Sequence, residues 1–204
     1  MLLTFIFFLC YNAFVSKTGK GKAFFQNEDS GAKVAVIIFG QMRSFEATWP
    51  QIKEQIGVTS DRINVSVFVT TSLSSRCTEK SGCSVRIQNM TQDIFKRQIE
   101  NAFYPHLQVL YETESRNLQK IYDFLDTIDD IQSFWKEFDH VLILRADVVF
   151  TKSFNLMETC VNYPGFNVIG GTIVRDCFWY HRDWDFGFLA CEPSLIMDYF
   201  FPKS

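Results

Sequence analysis

Three short segments of the sequence combine residue types that do chemistry. Phe39-Gly40-Gln41-Met42-Arg43 follows an apolar run. Gly40 permits a tight turn close to a ligand, and Gln41 and Arg43 carry planar donors. An arginine near the start of a helix binds a pair of phosphate oxygens through two parallel N–H bonds. The plain alternative is a surface arginine after a strand-to-helix turn. Arg145-Ala146-Asp147 ends the most apolar run, Val141-Leu142-Ile143-Leu144. Charged groups in that position must be paired or face a polar cleft. Asp147 is then able to hold a hard divalent cation, Mn2+ or Mg2+, whose other positions take diphosphate oxygens and water. The alternative is a structural Arg–Asp pair capping the strand. Tyr180-His181-Arg182-Asp183-Trp184-Asp185-Phe186-Gly187 sets two carboxylates among aromatic rings. Ring faces stack on the apolar C–H surfaces of sugars, and carboxylates accept from hydroxyls or take a proton from an attacking one. Otherwise the segment is an exposed aromatic loop with solvated acids.

These segments need a frame. Val34-Ala35-Val36-Ile37-Ile38-Phe39 is continuously apolar, as in a strand buried on both faces. An amphipathic stretch from Ser44 to Ile56 follows, with an interruption expected at Pro50. Ile63–Val69 is β-branched and strand-like, and residues 71–90 are polar and loop-like. Thr91 caps a helix expected to run to about Phe103, and Leu107–Tyr111 is a further strand. One long helix is expected over about Ser115–Phe138, where Leu118, Ile121, Tyr122, Leu125, Ile128 and Ile131 recur near 3.6-residue spacing. Beyond Asn167 the sequence holds a strand, a Gly170-Gly171 turn, the aromatic segment and a closing helix from about Pro193. Alternating strands and helices predict an α/β domain with a largely parallel sheet, in which ligands bind beyond the carboxyl ends of the strands.

Composition narrows the function classes. The 204 residues are 47% hydrophobic and 16% aromatic, which excludes a disordered chain and suffices for one domain with a sizeable core. The formal net charge of −3, with both signs mixed along the chain, gives no basic face for nucleic acid. Neither Gly-x-x-x-x-Gly-Lys-Ser/Thr nor Gly-x-Gly-x-x-Gly occurs, which disfavours a P-loop NTPase and a Rossmann dehydrogenase.

The six cysteines lack metal-finger spacing. Cys77 and Cys83 flank a turn-like stretch and suit a disulfide in an oxidising compartment. Residues 1–16 are apolar and uncharged, shorter than the ~20 residues that span a bilayer comfortably, and fit a signal peptide or short signal anchor. Residues 17–32 read as a linker or stem and 33–204 as the folded domain. Sequons at Asn64-Val65-Ser66 and Asn89-Met90-Thr91 agree with entry into the secretory pathway, in the ER or Golgi lumen or outside the cell. Lys17, Lys20 and Lys22 argue the other way, since basic flanks stay cytosolic. The competing reading is a buried N-terminal helix of a cytosolic protein.

The order of Val-Ala-Val-Ile-Ile-Phe-Gly-Gln-Met-Arg at 34–43, Asp-His-Val-Leu-Ile-Leu-Arg-Ala-Asp-Val at 139–148, and Asp185-Phe186 followed by Met197 resembles small GT-A-type glycosyltransferases over residues 33–200. The resemblance implies a GT-A-like, Rossmann-like fold with a mostly parallel sheet in a single domain. It implies transfer of a sugar from a nucleotide-diphosphate donor to a glycan or other hydroxyl acceptor. Gly40, Gln41, Arg43 and Arg145 would face the diphosphate. Thr70 and Thr71 would contact the base or ribose, a role assigned from position only. Asp147 would hold Mn2+ or Mg2+, and Asp185, with Asp183 as alternate, would serve the acceptor as catalytic acid residues. Arg145 stands where the wider pattern has its first acid, so one anionic ligand is lost and a cation gained: the metal binds more weakly, or Arg145 does part of its work. That substitution and the short chain after the closing helix keep a second expectation open, a glycosyltransferase-like module that binds nucleotide or glycan without turnover.

Overall fold

The computed structural model describes residues 31–42, 45–56, 62–73, 90–115, 118–150, 155–170, 172–175, 178–180 and 186–196. The expected signal segment, residues 17–30 of the stem, Asn89 and the Cys77–Cys83 pair lie outside them.

Strands β1 (Ala32–Phe39), β2 (Ile63–Thr71), β3 (Leu107–Glu112) and β4 (His140–Arg145) form the parallel part of a six-stranded sheet. Two later strands, β6 (Phe166–Gly170) and β9 (Phe186–Ala190), complete it in the order β3-β2-β1-β4-β9-β6. The short β5 (Val148–Val149), β7 (Thr172–Arg175) and β8 (Phe178–Tyr180) make a second, three-stranded sheet in the order β5-β7-β8. The α/β expectation holds, with one qualification: β9 runs antiparallel to both β4 and β6. Gly187 of β9 lies against β4, and a methyl group there would strike the Leu144 side chain.

The apolar run of β1 is explained by its two covered faces. Val34, Val36 and Ile38 join one core with α1 (Phe45–Ile56), α2 (Gln92–Phe103) and α5 (Leu156–Asn162). Ala35, Ile37 and Phe39 join the other with α3 (Gln119–Leu125) and α4 (Ile131–Lys136). Successive residues of a strand point to opposite faces, so a strand covered on both sides shows no alternation. Aromatic rings fill both layers: Trp49 packs on Phe103 at 4.7 Å and Phe68 on Phe134 at 5.2 Å between centroids.

Two helix expectations are corrected. Pro50 does not interrupt α1: it sits on the exposed side, while Phe45, Thr48, Trp49, Ile52 and Ile56 bury the opposite face. The packing on that face outweighs the lost backbone donor. The long helix over Ser115–Phe138 is instead α3 and α4, separated at residues 126–130. The hydroxyl of Thr127 donates to the Phe124 carbonyl at 2.6 Å, closing α3. Asp130 caps α4 by accepting from the Ser133 backbone N–H at 3.0 Å and its hydroxyl at 2.7 Å. Elsewhere the cap was legible, since Thr91 Oγ1 accepts from the Ile94 N–H at 3.3 Å at the start of α2.

A disulfide joins Cys160 of α5 to Cys191, just beyond β9, closing a sequence separation of 31. Nothing in the spacing of six cysteines singled out that pair. No helix among the described residues is long and apolar enough to cross a membrane.

Candidate functional site: a switch point between two strand ends

The chain leaves β1 toward β2 and β3 on one side, and β4 then adds on the other. Ligands of open α/β sheets bind at the carboxyl edge near such a reversal of strand order, here between β1 and β4. The two motifs expected to do chemistry end those two strands. Phe39 pairs in register with Arg145, and the Ala146 N–H donates to the Phe39 carbonyl at 2.9 Å. Residues 106 positions apart in sequence thus meet at one strand end.

On the β1 side, Gly40 turns the chain with φ +110°, a conformation that L side chains avoid. A Cβ built there meets no heavy atom within 4 Å, so the space beside the turn is open. Gln41 is half-buried, while Met42 is anchored in the core. Arg43 lies outside the described residues. Two threonines at the end of β2 support the turn from within. Thr71 Oγ1 donates to the Gly40 carbonyl at 2.7 Å, and Thr70 Oγ1 donates to the Lys120 carbonyl at 3.0 Å. Both residues are buried, so their hydroxyls act as internal ties here.

On the β4 side, Arg145 and Asp147 form a two-bond fork. Nε–H donates to Oδ1 and Nη2–H to Oδ2, each at 2.9 Å. The pair is uneven in depth: the Arg145 side chain is 24% exposed and that of Asp147 only 3%. The turn carrying them is pinned on both sides, because Thr48 of α1 donates its hydroxyl to the Ala146 carbonyl at 2.6 Å. Val148 follows at once and pairs with Ile173, so this turn also links the large sheet to the small one.

The arrangement bears on the expected divalent cation. Asp147 already gives both oxygens to Arg145, and among the described residues no three His, Cys, Asp or Glu side chains gather to hold a metal. The strand-capping ion pair, left open as an alternative by the sequence, is present.

A polar network that the sequence did not announce lies next to β2, at the ends of β2 and β3. Lys120, on α3, is 4% exposed, and its Nζ donates to the Thr113 carbonyl at 2.6 Å. Burial lowers its pKa from 10.5, against the opposing pull of Glu114 and Asp123. Ser72 Oγ donates to the Glu114 carboxylate, with its two oxygens at 2.9 and 3.0 Å. Thr113 Oγ1 donates to Asp123 at 2.6 Å, and hydrogen bonds from the side chains of Ser115, Thr113 and Gln119 hold the Asp123 carboxyl below its ordinary value. A lysine amid an apolar helical stripe was the available signal; its partners, on β3's far end, were not readable.

β9 enters the sheet at this same edge. Ile143 pairs with Phe188 and Gly170 with Phe186, which sets the start of β9 beside the end of β4. Asp183 and Asp185, the expected acceptor-side acids, lie outside the described residues.

No family model matches the sequence, and no curated protein does. Among solved structures the chain is similar to the mannosyltransferase PcManGT from Pyrobaculum calidifontis in complex with GDP-Man and Mn2+, with 14% identity and a TM-score of 0.39. That match covers 79% of this chain and 41% of the other. It is also similar to the WbbM bifunctional glycosyltransferase in its apo form, with 14% identity and a TM-score of 0.36, covering 74% of this chain and 24% of the other. The chain therefore spans less than half the length of either protein. Both likenesses are remote, and the functional reading rests on the site's own geometry.

Proposed function

We propose that the chain is a glycosyltransferase that takes its sugar from a nucleotide-diphosphate donor and works in the secretory pathway. The observation that carries the reading is the meeting of the Gly40 turn and the Arg145 fork at the switch point, through the Phe39–Arg145 register. An open backbone turn beside a guanidinium offers what a diphosphate needs: space for close approach and charge-assisted donors. Gly40, Gln41, Arg43 and Arg145 bind the diphosphate, with Thr70 and Thr71 holding the turn. The acceptor hydroxyl displaces the nucleoside diphosphate from the anomeric carbon. Asp185, immediately before β9, takes the hydroxyl proton where transfer inverts the centre, with Asp183 as its alternate. Arg145 stabilises the charge that grows on the leaving diphosphate.

The Cys160–Cys191 disulfide supports the secretory placement, because such bonds persist in oxidising compartments. Asn64 is exposed at the start of β2, the end of the strand opposite the site, so a glycan there leaves the site clear.

The test is release of nucleoside diphosphate from a panel of sugar nucleotides, with and without pooled hydroxyl acceptors. Acceptor-dependent release that falls in Asp185→Asn supports the transferase. The occupied Asp147 carboxylate favours a second reading, a domain that binds nucleotide without turnover. Binding with no release from any sugar nucleotide would select it.

A further inference from the structure

We infer that Lys120 and Thr71 are positioning residues for the nucleotide site: together they brace the Gly40 turn from the ends of β2 and β3, and tight binding of a nucleoside diphosphate needs both. The inference rests on the nucleotide-site reading above and names what keeps its turn in shape.

Glycine has the widest choice of backbone conformations, so the shape of this turn depends on what its peptide groups bond to. Both go to β2: the Gly40 N–H donates to the Thr70 carbonyl at 3.2 Å, and the Gly40 carbonyl accepts from Thr71 Oγ1 at 2.7 Å. The two threonines are held in turn from β3 and α3. The N–H of Thr113, just past β3, donates to the Thr71 carbonyl at 2.8 Å, and Thr70 Oγ1 donates to the Lys120 carbonyl at 3.0 Å. Lys120 Nζ then donates to the Thr113 carbonyl at 2.6 Å. The bonds run from Gly40 to Thr71, Thr113, Lys120 and Thr70 and back to Gly40, a closed ring at the carboxyl edge of the sheet.

The ammonium is the costly link of this ring. Lys120 is 4% exposed, and burial of a charge is unfavourable unless it is paired and hydrogen-bonded. The charges of Glu114 and Asp123 offset part of that cost. A methionine would fill the same space without it, so what the ammonium adds is the bond to Thr113. Breaking that link, or the one from Thr71, opens the ring and loosens the turn that leads into Gln41.

The experiment compares the full chain, made through an oxidising secretory host, with Lys120→Met, Thr71→Val, their double variant and Thr71→Ser. Val141→Ala, a core truncation near the far end of β4, controls for lost stability alone. Affinities for UDP, GDP, CDP and ADP are measured by calorimetry with Mn2+ and Mg2+ in the buffer. Amide exchange at Gly40 in the free chain is followed by NMR. Lys120→Met and Thr71→Val are each expected to weaken the best-bound diphosphate by about three- to tenfold and to speed exchange at Gly40. The double variant loses no more than the worse single, since either change opens the same ring. Thr71→Ser, which keeps the donor, binds as wild type does, and Val141→Ala leaves affinity and Gly40 exchange unchanged. Should Lys120→Met not fold, the contrast between Thr71→Val and Thr71→Ser decides. Unchanged affinity in the single variants, losses that simply add in the double, or an equal loss in Val141→Ala overturns the inference and leaves the nucleotide site standing. A folded wild-type chain that binds none of the four diphosphates overturns both.

Discussion

The hydroxyl of Thr48 donates to the carbonyl of Ala146 at 2.6 Å, joining the helix after β1 to the turn after β4 across 98 residues of sequence. Both groups are buried, so the bond fixes the Arg145–Asp147 turn against α1. Replacing Thr48 by Val keeps the shape and leaves the Ala146 carbonyl without this donor. Thr48→Val is expected to lose about 1–2 kcal/mol in urea unfolding, and Thr48→Ser less. Diphosphate affinity should fall with it, since the arginine's platform loosens.

Gly40 turns the chain at the end of β1, beside the strand end that carries Arg145. Its φ of +110° makes alanine strained even though the methyl group has room. Gly40→Ala is expected to cost about 1–3 kcal/mol of stability, all of it from the backbone, read as a shift of the urea midpoint at constant slope.

Lys120 gives the stability a readable pH dependence. Burial lowers its folded pKa below 10.5, so between the lowered value and 10.5 the unfolded chain binds more protons than the native one. Stability contributed by this group therefore rises with pH through that window. Below it the desolvation penalty is fully present. The difference in unfolding free energy between wild type and Lys120→Met should shift in favour of wild type as pH is raised through the window. A difference flat from neutral pH to beyond 10.5 contradicts the burial.

The Cys160–Cys191 bond ties α5 to the end of β9, the antiparallel strand beside β4. Closing a loop of this length restricts the unfolded chain by about 3–4 kcal/mol in the chain-entropy account. Cys160→Ser with Cys191→Ser, compared with wild type by urea unfolding, should lose stability of that order.

Much of the frame was legible because burial on two faces leaves a plain mark. β1 and β4 carry unbroken apolar runs at 34–39 and 141–144, and each run is followed at once by residues that can do chemistry. Thr91 announced α2 through its own cap. The break between α3 and α4 was hidden, because Ile128 and Ile131 kept the helical period while Thr127 and Asp130 closed one helix and capped the next. The reversed direction of β9 leaves no signal in five residues, since Phe186–Ala190 reads the same in either orientation. At the site, the types Arg and Asp two apart were readable, and both a metal ligand and an ion pair fitted them. Their relative depth decides between these, and depth comes from the turn tied to Phe39 and Thr48, partners remote in sequence.

The most direct test of the account is hydrogen exchange of the full chain with and without a bound nucleoside diphosphate, read segment by segment. Slowed exchange at both 40–42 and 145–147, with β6 and the N-terminal ends of β1 and β2 unchanged, is the predicted result. Slowed exchange confined to one motif, or placed away from the carboxyl edge of β1 and β4, would contradict a single diphosphate site built from the two.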